Sequence, residues 1–119
     1  MIDLDALKKI GLNTDDGLAY CADDEEFYGE MIGEYLDEKD SRVKVLTDSF
    51  ASRDWENYGI TAHSIKSTSR MIGADDLSEL AREMEMAAKD NNEEALLAGH
   101  EHFLSEYVKL TEQLDAAME

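Results

Sequence analysis

One stretch of the chain combines residue types that phosphoryl chemistry on an imidazole requires. His63 is followed by Lys66 and Arg70, three and seven residues later, and Gly59 and Ser67 lie four residues to either side. Residues at these spacings share one face of an α-helix, so the five should form one patch. An imidazole can act as a nucleophile near neutral pH, and a neighbouring cation can neutralise phosphoryl oxygens. The pattern indicates a site that accepts a phosphoryl group on His63.

The neighbours of His63 on this face are small. A glycine inside a helix costs about 1 kcal/mol relative to alanine, and serine is also a mediocre helix former. Gly59 and Ser67 would leave the ring open to a large partner, although close helix packing explains Gly59 equally well. Ile60 and Met71 lie on the outer side of the patch, where a docking partner would cover them. Arg70 is predicted to contact either the phosphoryl group or acidic residues of a docking partner. The alternative is an ordinary surface histidine among solvated charges.

Helical periodicity predicts an all-α fold, an antiparallel four-helix bundle with a short N-terminal helical extension. The chain has no proline and is rich in Ala, Leu, Glu and Met, which favours helices. Long amphipathic helices joined by short connections pack most simply as an antiparallel bundle. Beyond the N-terminal extension, helices are predicted at about 23–39, from a cap at Asp40 or Ser41 to a break at 53–54, at 54–72, from Asp75 or Asp76 to about 88, and at 93–117. The first should bury Phe27, Met31, Ile32, Tyr35 and Leu36.

The length and charge of the chain limit its class. At 119 residues, we expect one domain over 1–119, in which short helices within 1–22 cap the bundle. The net charge of −18 argues against nucleic-acid binding, although 41–70 holds five bases against three acids. No apolar run reaches the roughly 18 residues of a membrane span, and no signal peptide is recognisable. One cysteine, Cys21, excludes an internal disulfide. We expect a cytoplasmic monomer.

Other candidate sites are weaker. His100 and His102 lie about 200° apart on a helix and cannot chelate one ion, so we predict no metal site and an exposed or half-buried structural role. The paired aspartates at 23–24 and 75–76 are predicted to cap helices. The run Glu83-Met84-Glu85-Met86 is predicted to be a solvated face whose alternate residues turn inward.

The motif around His63 resembles a known family. His63-Ser64-Ile65-Lys66-Ser67, followed by Ile72-Gly73-Ala74 and Leu77, is similar to the signature of histidine-containing phosphotransfer (HPt) domains. The resemblance includes Asp54-Trp55 and Met84-Glu85 and covers most of 14–115. Ser67 stands where the family has glycine. Serine is the next smallest polar residue, so access to the ring should survive.

The resemblance implies that His63 is phosphorylated on Nε2 and that Lys66 is its phosphate partner. It also implies that receiver domains of response regulators or of a hybrid sensor histidine kinase dock over this face. Mg²⁺ is expected on the receiver, and no cofactor on this chain. Because the sequence lacks a Gly-rich phosphate loop, we expect a phosphocarrier without kinase activity of its own. The alternative is an acidic helical adaptor that binds a receiver or another partner through the same face without phosphorylation.

Overall fold

The computed structural model describes residues 2–118, and within that range it consists of helices joined by short turns. The predicted all-α class is confirmed, and the long helices begin and end close to the expected positions. The helices are α1 (Leu4–Ile10), α2 (Thr14–Tyr20), α3 (Glu25–Asp37), α4 (Lys39–Ser52), α5 (Trp55–Met71), α6 (Asp75–Lys89) and α7 (Glu93–Ala117).

The bundle is formed by four long helical segments. α3 and α4 follow one another almost continuously, because Glu38 between them keeps a right-handed helical backbone, donates to Glu34 and accepts from Arg42. α5 packs between α4 and α6, and α7 contacts α3, α4 and α6. α1 packs against α7, and α2 packs against α3 and α5. Short turns after α4, α5 and α6 force neighbouring helices to run antiparallel.

Side-chain caps begin most of the helices. Asp3, Asn13, Asp24, Asp54 and Asn92 each accept a hydrogen bond from a backbone N–H in the first turn of the following helix. Such caps satisfy donors that have no partner inside the helix. The cap predicted within 23–24 is therefore confirmed at Asp24.

The predicted caps of α4 and α6 are wrong. α4 begins at Lys39 after Glu38, and α6 begins at Asp75 after Ala74, with no side-chain cap at either start. At this junction the N–H of Glu38 donates to the carbonyl oxygen of Glu34, and the carbonyl oxygen of Glu38 accepts from the N–H of Arg42. Asp75 and Asp76 lie inside the first turn of α6, where their charge complements the helix dipole.

Buried aromatic residues dominate the core. Tyr28, Tyr58, Tyr107 and Phe103 are fully buried. The hydroxyl group of Tyr28 donates to the carbonyl oxygen of Ile72 at 2.7 Å, which satisfies a polar atom inside the bundle. The prediction that Phe27 faces inward is wrong, because Tyr28, one residue and 100° further around α3, occupies the core instead.

The turn between α5 and α6 packs closely against the segment that joins α1 and α2. Gly73 has a φ of +85°, and its carbonyl oxygen accepts a hydrogen bond from the backbone N–H of Asn13 at 2.8 Å. A Cβ atom at Gly73 would lie 2.1 Å from the carbonyl oxygen of Asn13. Glycine is required here by both the left-handed backbone and the close approach of another chain segment.

We expect Gly73→Ala to lower the free energy of unfolding by about 3–4 kcal/mol, since backbone strain and a backbone clash act together. Urea unfolding followed by circular dichroism measures this change. Gly11→Ala is a matched control, because Gly11 has a φ of +106° but open space around it. If Gly73→Ala destabilises the chain no more than Gly11→Ala does, the tight crossing at Asn13 is not part of the fold.

Candidate functional site

The site lies along the contact between α5 and α6. Gly59 on α5 faces Ala88 on α6 so closely that a Cβ atom at Gly59 would lie 3.2 Å from the Cβ of Ala88. One turn further along α5, His63 faces Glu85 on α6, and the hydroxyl group of Ser78 donates to the carbonyl oxygen of Lys66 at 2.9 Å. The two helices therefore form an antiparallel pair whose small residues let polar side chains meet across it.

Glu85 is the centre of the charged cluster. Its side chain is only 4% exposed, and its Oε2 atom lies 2.8 Å from Nδ1 of His63. Oε1 of the same carboxylate lies 2.7 Å from Nζ of Lys66, and Nζ of Lys89 lies 3.1 Å from Oε2. A buried carboxylate is costly unless it is paired and hydrogen-bonded. Three basic side chains provide those partners here.

These contacts keep Glu85 ionised. Burial by itself would raise the pKa of Glu85, but hydrogen bonds from Lys66, Lys89 and His63 outweigh burial and lower the pKa from 4.5 to about 2. The carboxylate therefore carries its negative charge throughout the neutral range. It can accept a hydrogen bond from Nδ1 of His63 at any physiological pH.

The lowered pKa predicts a dependence of stability on pH. A carboxyl group whose pKa is lower in the folded state stabilises the fold above its unfolded pKa and loses that contribution as pH falls through the folded value. For Glu85 this window runs from about pH 4.5 down to about 2, and the difference corresponds to roughly 3 kcal/mol. We expect the free energy of unfolding of Glu85→Gln to fall less than that of the wild type as the pH is lowered from 4.5 to about 2.

Urea unfolding at a series of pH values measures this effect. Glu83→Gln is the matched control, because Glu83 lies on the same helix but is exposed. An unchanged dependence of unfolding free energy on pH in Glu85→Gln would show that Glu85 is not held in its charged form by these contacts.

The structure brings most of the predicted patch together. His63 is exposed, whereas Gly59, Lys66 and Ser67 are half-buried on the same helix. Close packing at Gly59 is confirmed by its approach to Ala88, and Gly59 also lines a cavity of about 570 Å³ beside His63. The ammonium group of Lys66 does not stand free beside the ring, because Glu85 holds it.

The predicted docking residues lie around this patch. Ile60 is 59% exposed and lines the cavity beside His63, whereas Met71 is half-buried. Arg70 is exposed, and its Nε donates to the hydroxyl group of Tyr20 at 3.2 Å. This contact attaches the end of α2 to α5. Arg70 therefore borders a second groove, shared with Tyr20 and Glu79, and not the cavity beside His63.

Sequence reasoning missed Glu85 and Lys89 as parts of the site. The prediction of a solvated face over 83–86 is wrong for Glu85, which is buried, and Met86, expected to turn inward, is exposed. Alternate residues of a helix lie 200° apart, so inward contacts cannot alternate. A signal was nevertheless present: in an antiparallel pair that turns at Gly73, residues ten to twelve positions before and after the turn face one another.

Of the two histidines on α7, His100 has a structural role. The prediction that His100 is exposed or half-buried is wrong. His100 is buried, its ring stacks on Phe50 with centroids 3.8 Å apart, and its Nδ1 lies 2.8 Å from the hydroxyl group of Tyr58. Burial lowers the pKa of His100, which favours its neutral form. His102 is exposed. No group of three potential metal ligands is found in residues 2–118.

Comparisons with known proteins agree with this architecture. A family model described as the Hpt domain matches residues 30–119. The crystal structure of the HPT domain from the Hpt sensor hybrid histidine kinase from Shewanella superimposes with a TM-score of 0.80. The two sequences are 22% identical, and the match covers 90% of this chain and 92% of that one. This likeness shows the shared fold. No match is found among curated proteins.

The family match extends over most of the chain, so the chain belongs to the Hpt domain family. Its function is histidine phosphotransfer in a phosphorelay. Members of this family are phosphocarriers that interact with receiver domains of two-component systems. Among the described residues, no helix is both long enough and apolar enough to cross a membrane.

Proposed function

We propose that the chain relays a phosphoryl group between receiver aspartates through His63. The observation that carries this proposal is the 2.8 Å contact between Nδ1 of His63 and the buried carboxylate of Glu85. Because a carboxylate accepts hydrogen bonds, the contact favours the tautomer with its proton on Nδ1 and a lone pair on Nε2. The side chain of His63 is 56% exposed, so a partner can approach Nε2 from solvent.

The proposed step is an in-line transfer from a phospho-aspartate. The lone pair on Nε2 of His63 forms the new N–P bond, and the P–O bond of the donor breaks with its electron pair returning to the aspartate. The proton on Nδ1 stays in its hydrogen bond to Glu85, which stabilises positive charge developing on the ring. Mg²⁺ on the receiver is expected to neutralise the phosphoryl oxygens during transfer. The reverse step passes the group to another receiver.

The neighbouring residues have distinct proposed roles. Lys66 stabilises the phosphoryl oxygens, because its ammonium group is held one turn from His63. Ser67 offers a small hydroxyl group, and Gly59 keeps the cavity beside the ring open. The proposed docking residues are Ile60, which lines the cavity beside His63, and Arg70 and Met71, at the C-terminal end of α5.

The chain is proposed to act only as a carrier. Its sequence contains no Gly-rich phosphate loop that would bind ATP, so it depends on phosphorylated partners. The proposed partners are receiver domains of response regulators or of a hybrid sensor kinase. A cytoplasmic location and a monomeric state remain predictions.

Incubation with a receiver domain that carries a labelled phospho-aspartate tests the proposal. We expect label on this chain that is labile to acid and stable to base, because phosphohistidine and aspartyl phosphate differ in these properties. The same receiver without its phosphorylated aspartate is the control. Receiver binding without label, across a panel of active receivers and with the helical fold intact, would favour the adaptor alternative.

A further inference from the structure

A groove on α3 lies apart from the site around His63. It has a volume of about 680 Å³, and we call it the α3 groove. Its lining consists of Ile2, Glu25, Glu26, Gly29, Glu30 and Met118. None of these residues lines the cavity beside His63. A Cβ atom on Gly29 would lie 2.9 Å from Cγ2 of Ile2 and 3.9 Å from Cε of Met118. Two apolar side chains therefore lie against the backbone of α3.

The helix that carries the α3 groove is acidic and has no base of its own. The sequence of α3 contains no lysine or arginine, and Glu26, Glu30 and Glu34 follow one another at intervals of four residues, all exposed. Like charges at this spacing destabilise a helix. Among residues 2–118, the ion pairs between side chains all lie between Glu38 and Glu93. No described lysine or arginine therefore pairs with these three glutamates.

Gly33 leaves the same face of α3 open. Gly29 and Gly33 are four residues apart, so they share a helical face with the glutamates beside them. A glycine inside a helix costs about 1 kcal/mol relative to alanine. Packing against Ile2 accounts for Gly29, whereas a Cβ atom on Gly33 would meet nothing within 4 Å. Contacts inside the described chain therefore do not explain Gly33, and a partner can approach the backbone of α3 there.

We propose that the α3 groove binds a basic amphipathic helix of a partner protein. The apolar face of that helix packs against Ile2 and Met118, and its lysines or arginines pair with the glutamates of α3. Charge complementarity selects this occupant, because an acidic segment or an anionic membrane surface would be repelled. The stripe from Glu26 to Glu34 is about 12 Å long, so a partner helix of three or four turns covers it. This binding does not depend on phosphorylation of His63.

Titration of the ¹⁵N-labelled chain with an amphipathic peptide of leucine and lysine, about five helical turns long, tests the proposal. We expect shifts of amide signals in α3 and at Ile2 and Met118, and unchanged signals in α5 and α6. A peptide with glutamate in place of lysine should not bind. Absence of binding by the lysine peptide would overturn the proposal, as would shifts centred on α5 and α6.

Charge reversal distinguishes the groove from general attraction to an acidic chain. We expect Glu30→Lys to raise the Kd of the lysine peptide about 3- to 10-fold at low ionic strength, because one attraction is lost and one repulsion is added. Glu83→Lys makes the same change in net charge at an exposed position on α6, and it should keep the wild-type Kd. Equal increases in the two variants would overturn the proposal.

A second copy of this chain is the other occupant to test. Sedimentation of the wild type without peptide should show a single species of monomer size. A dimer that dissociates in Glu30→Lys but not in Glu83→Lys would overturn the proposal and assign the α3 groove to self-association.

Discussion

Replacing His63 with glutamine is expected to abolish acid-labile phosphate on the chain while leaving the bundle folded. Glutamine has no nucleophilic ring nitrogen, yet its amide can still donate a hydrogen bond to Glu85. His63 is exposed on α5 and contributes little apolar burial. Label transferred from a phosphorylated receiver should therefore fall to background, and circular dichroism and thermal unfolding should change little.

A matched variant distinguishes loss of the acceptor from general loss of a histidine. His102 is exposed on α7, so His102→Gln should take up label at the wild-type rate. His100 is unsuitable as a control, because its ring is buried against Phe50 and contacts Tyr58. Label retained by His63→Gln would place the acceptor elsewhere and contradict the proposal.

After the loss of His63, removal of the Glu85 carboxylate should cause the next largest decrease in phosphoryl transfer. Glu85→Ala leaves Lys66 and Lys89 without their shared counterion and frees Nδ1 of His63 from its acceptor. Loss of a group that orients a metal-bound imidazole typically costs 10- to 100-fold, and we expect a decrease of the same order, about 10- to 100-fold, in the transfer rate here. Because the carboxylate is buried, we also expect a loss of stability of about 3 kcal/mol.

Single-turnover transfer from a phosphorylated receiver measures the rate. Glu85→Gln keeps an oxygen that accepts from Nδ1, so its rate should lie between those of the wild type and Glu85→Ala. The readout specific to orientation is the tautomer of His63, followed by ¹⁵N NMR, which should become mixed in Glu85→Ala. Glu83→Ala, an exposed change on α6, should leave rate and tautomer unchanged. Wild-type rates in Glu85→Ala would remove Glu85 from the mechanism.

Residues that share one face of a single helix could be predicted from the sequence, whereas contacts between residues of two helices could not. His63, Lys66 and Ser67 could be grouped because their spacing alone defines a helical face. Glu85 lies 22 residues from His63, and their contact depends on the register between α5 and α6. Periodicity within α6 does not contain that information. The turn at Gly73 does, since it sets which residues of the two helices face one another.

Helix starts and buried faces show the same difference between features set locally and features set by a neighbouring helix. Caps at Asp24 and Asp54 follow from local hydrogen bonding, and they are where residue types predict a helix start. The start of α4 is different, because α3 continues into it through Glu38, whose backbone stays right-handed helical and needs no side-chain cap. At Phe27 and Tyr28 both residues are aromatic, so the choice of the buried one depends on how α3 is rotated against its neighbours.

The central claim is that Nε2 of His63 accepts the phosphoryl group while Glu85 holds Nδ1. Long-range ¹H–¹⁵N NMR of the histidine-labelled chain, before and after phosphorylation by a receiver, tests it most directly. The account predicts that His63 has a protonated Nδ1 in both states and that phosphorus becomes attached to its Nε2. Phosphorus on Nδ1, or on a different histidine, would contradict the account.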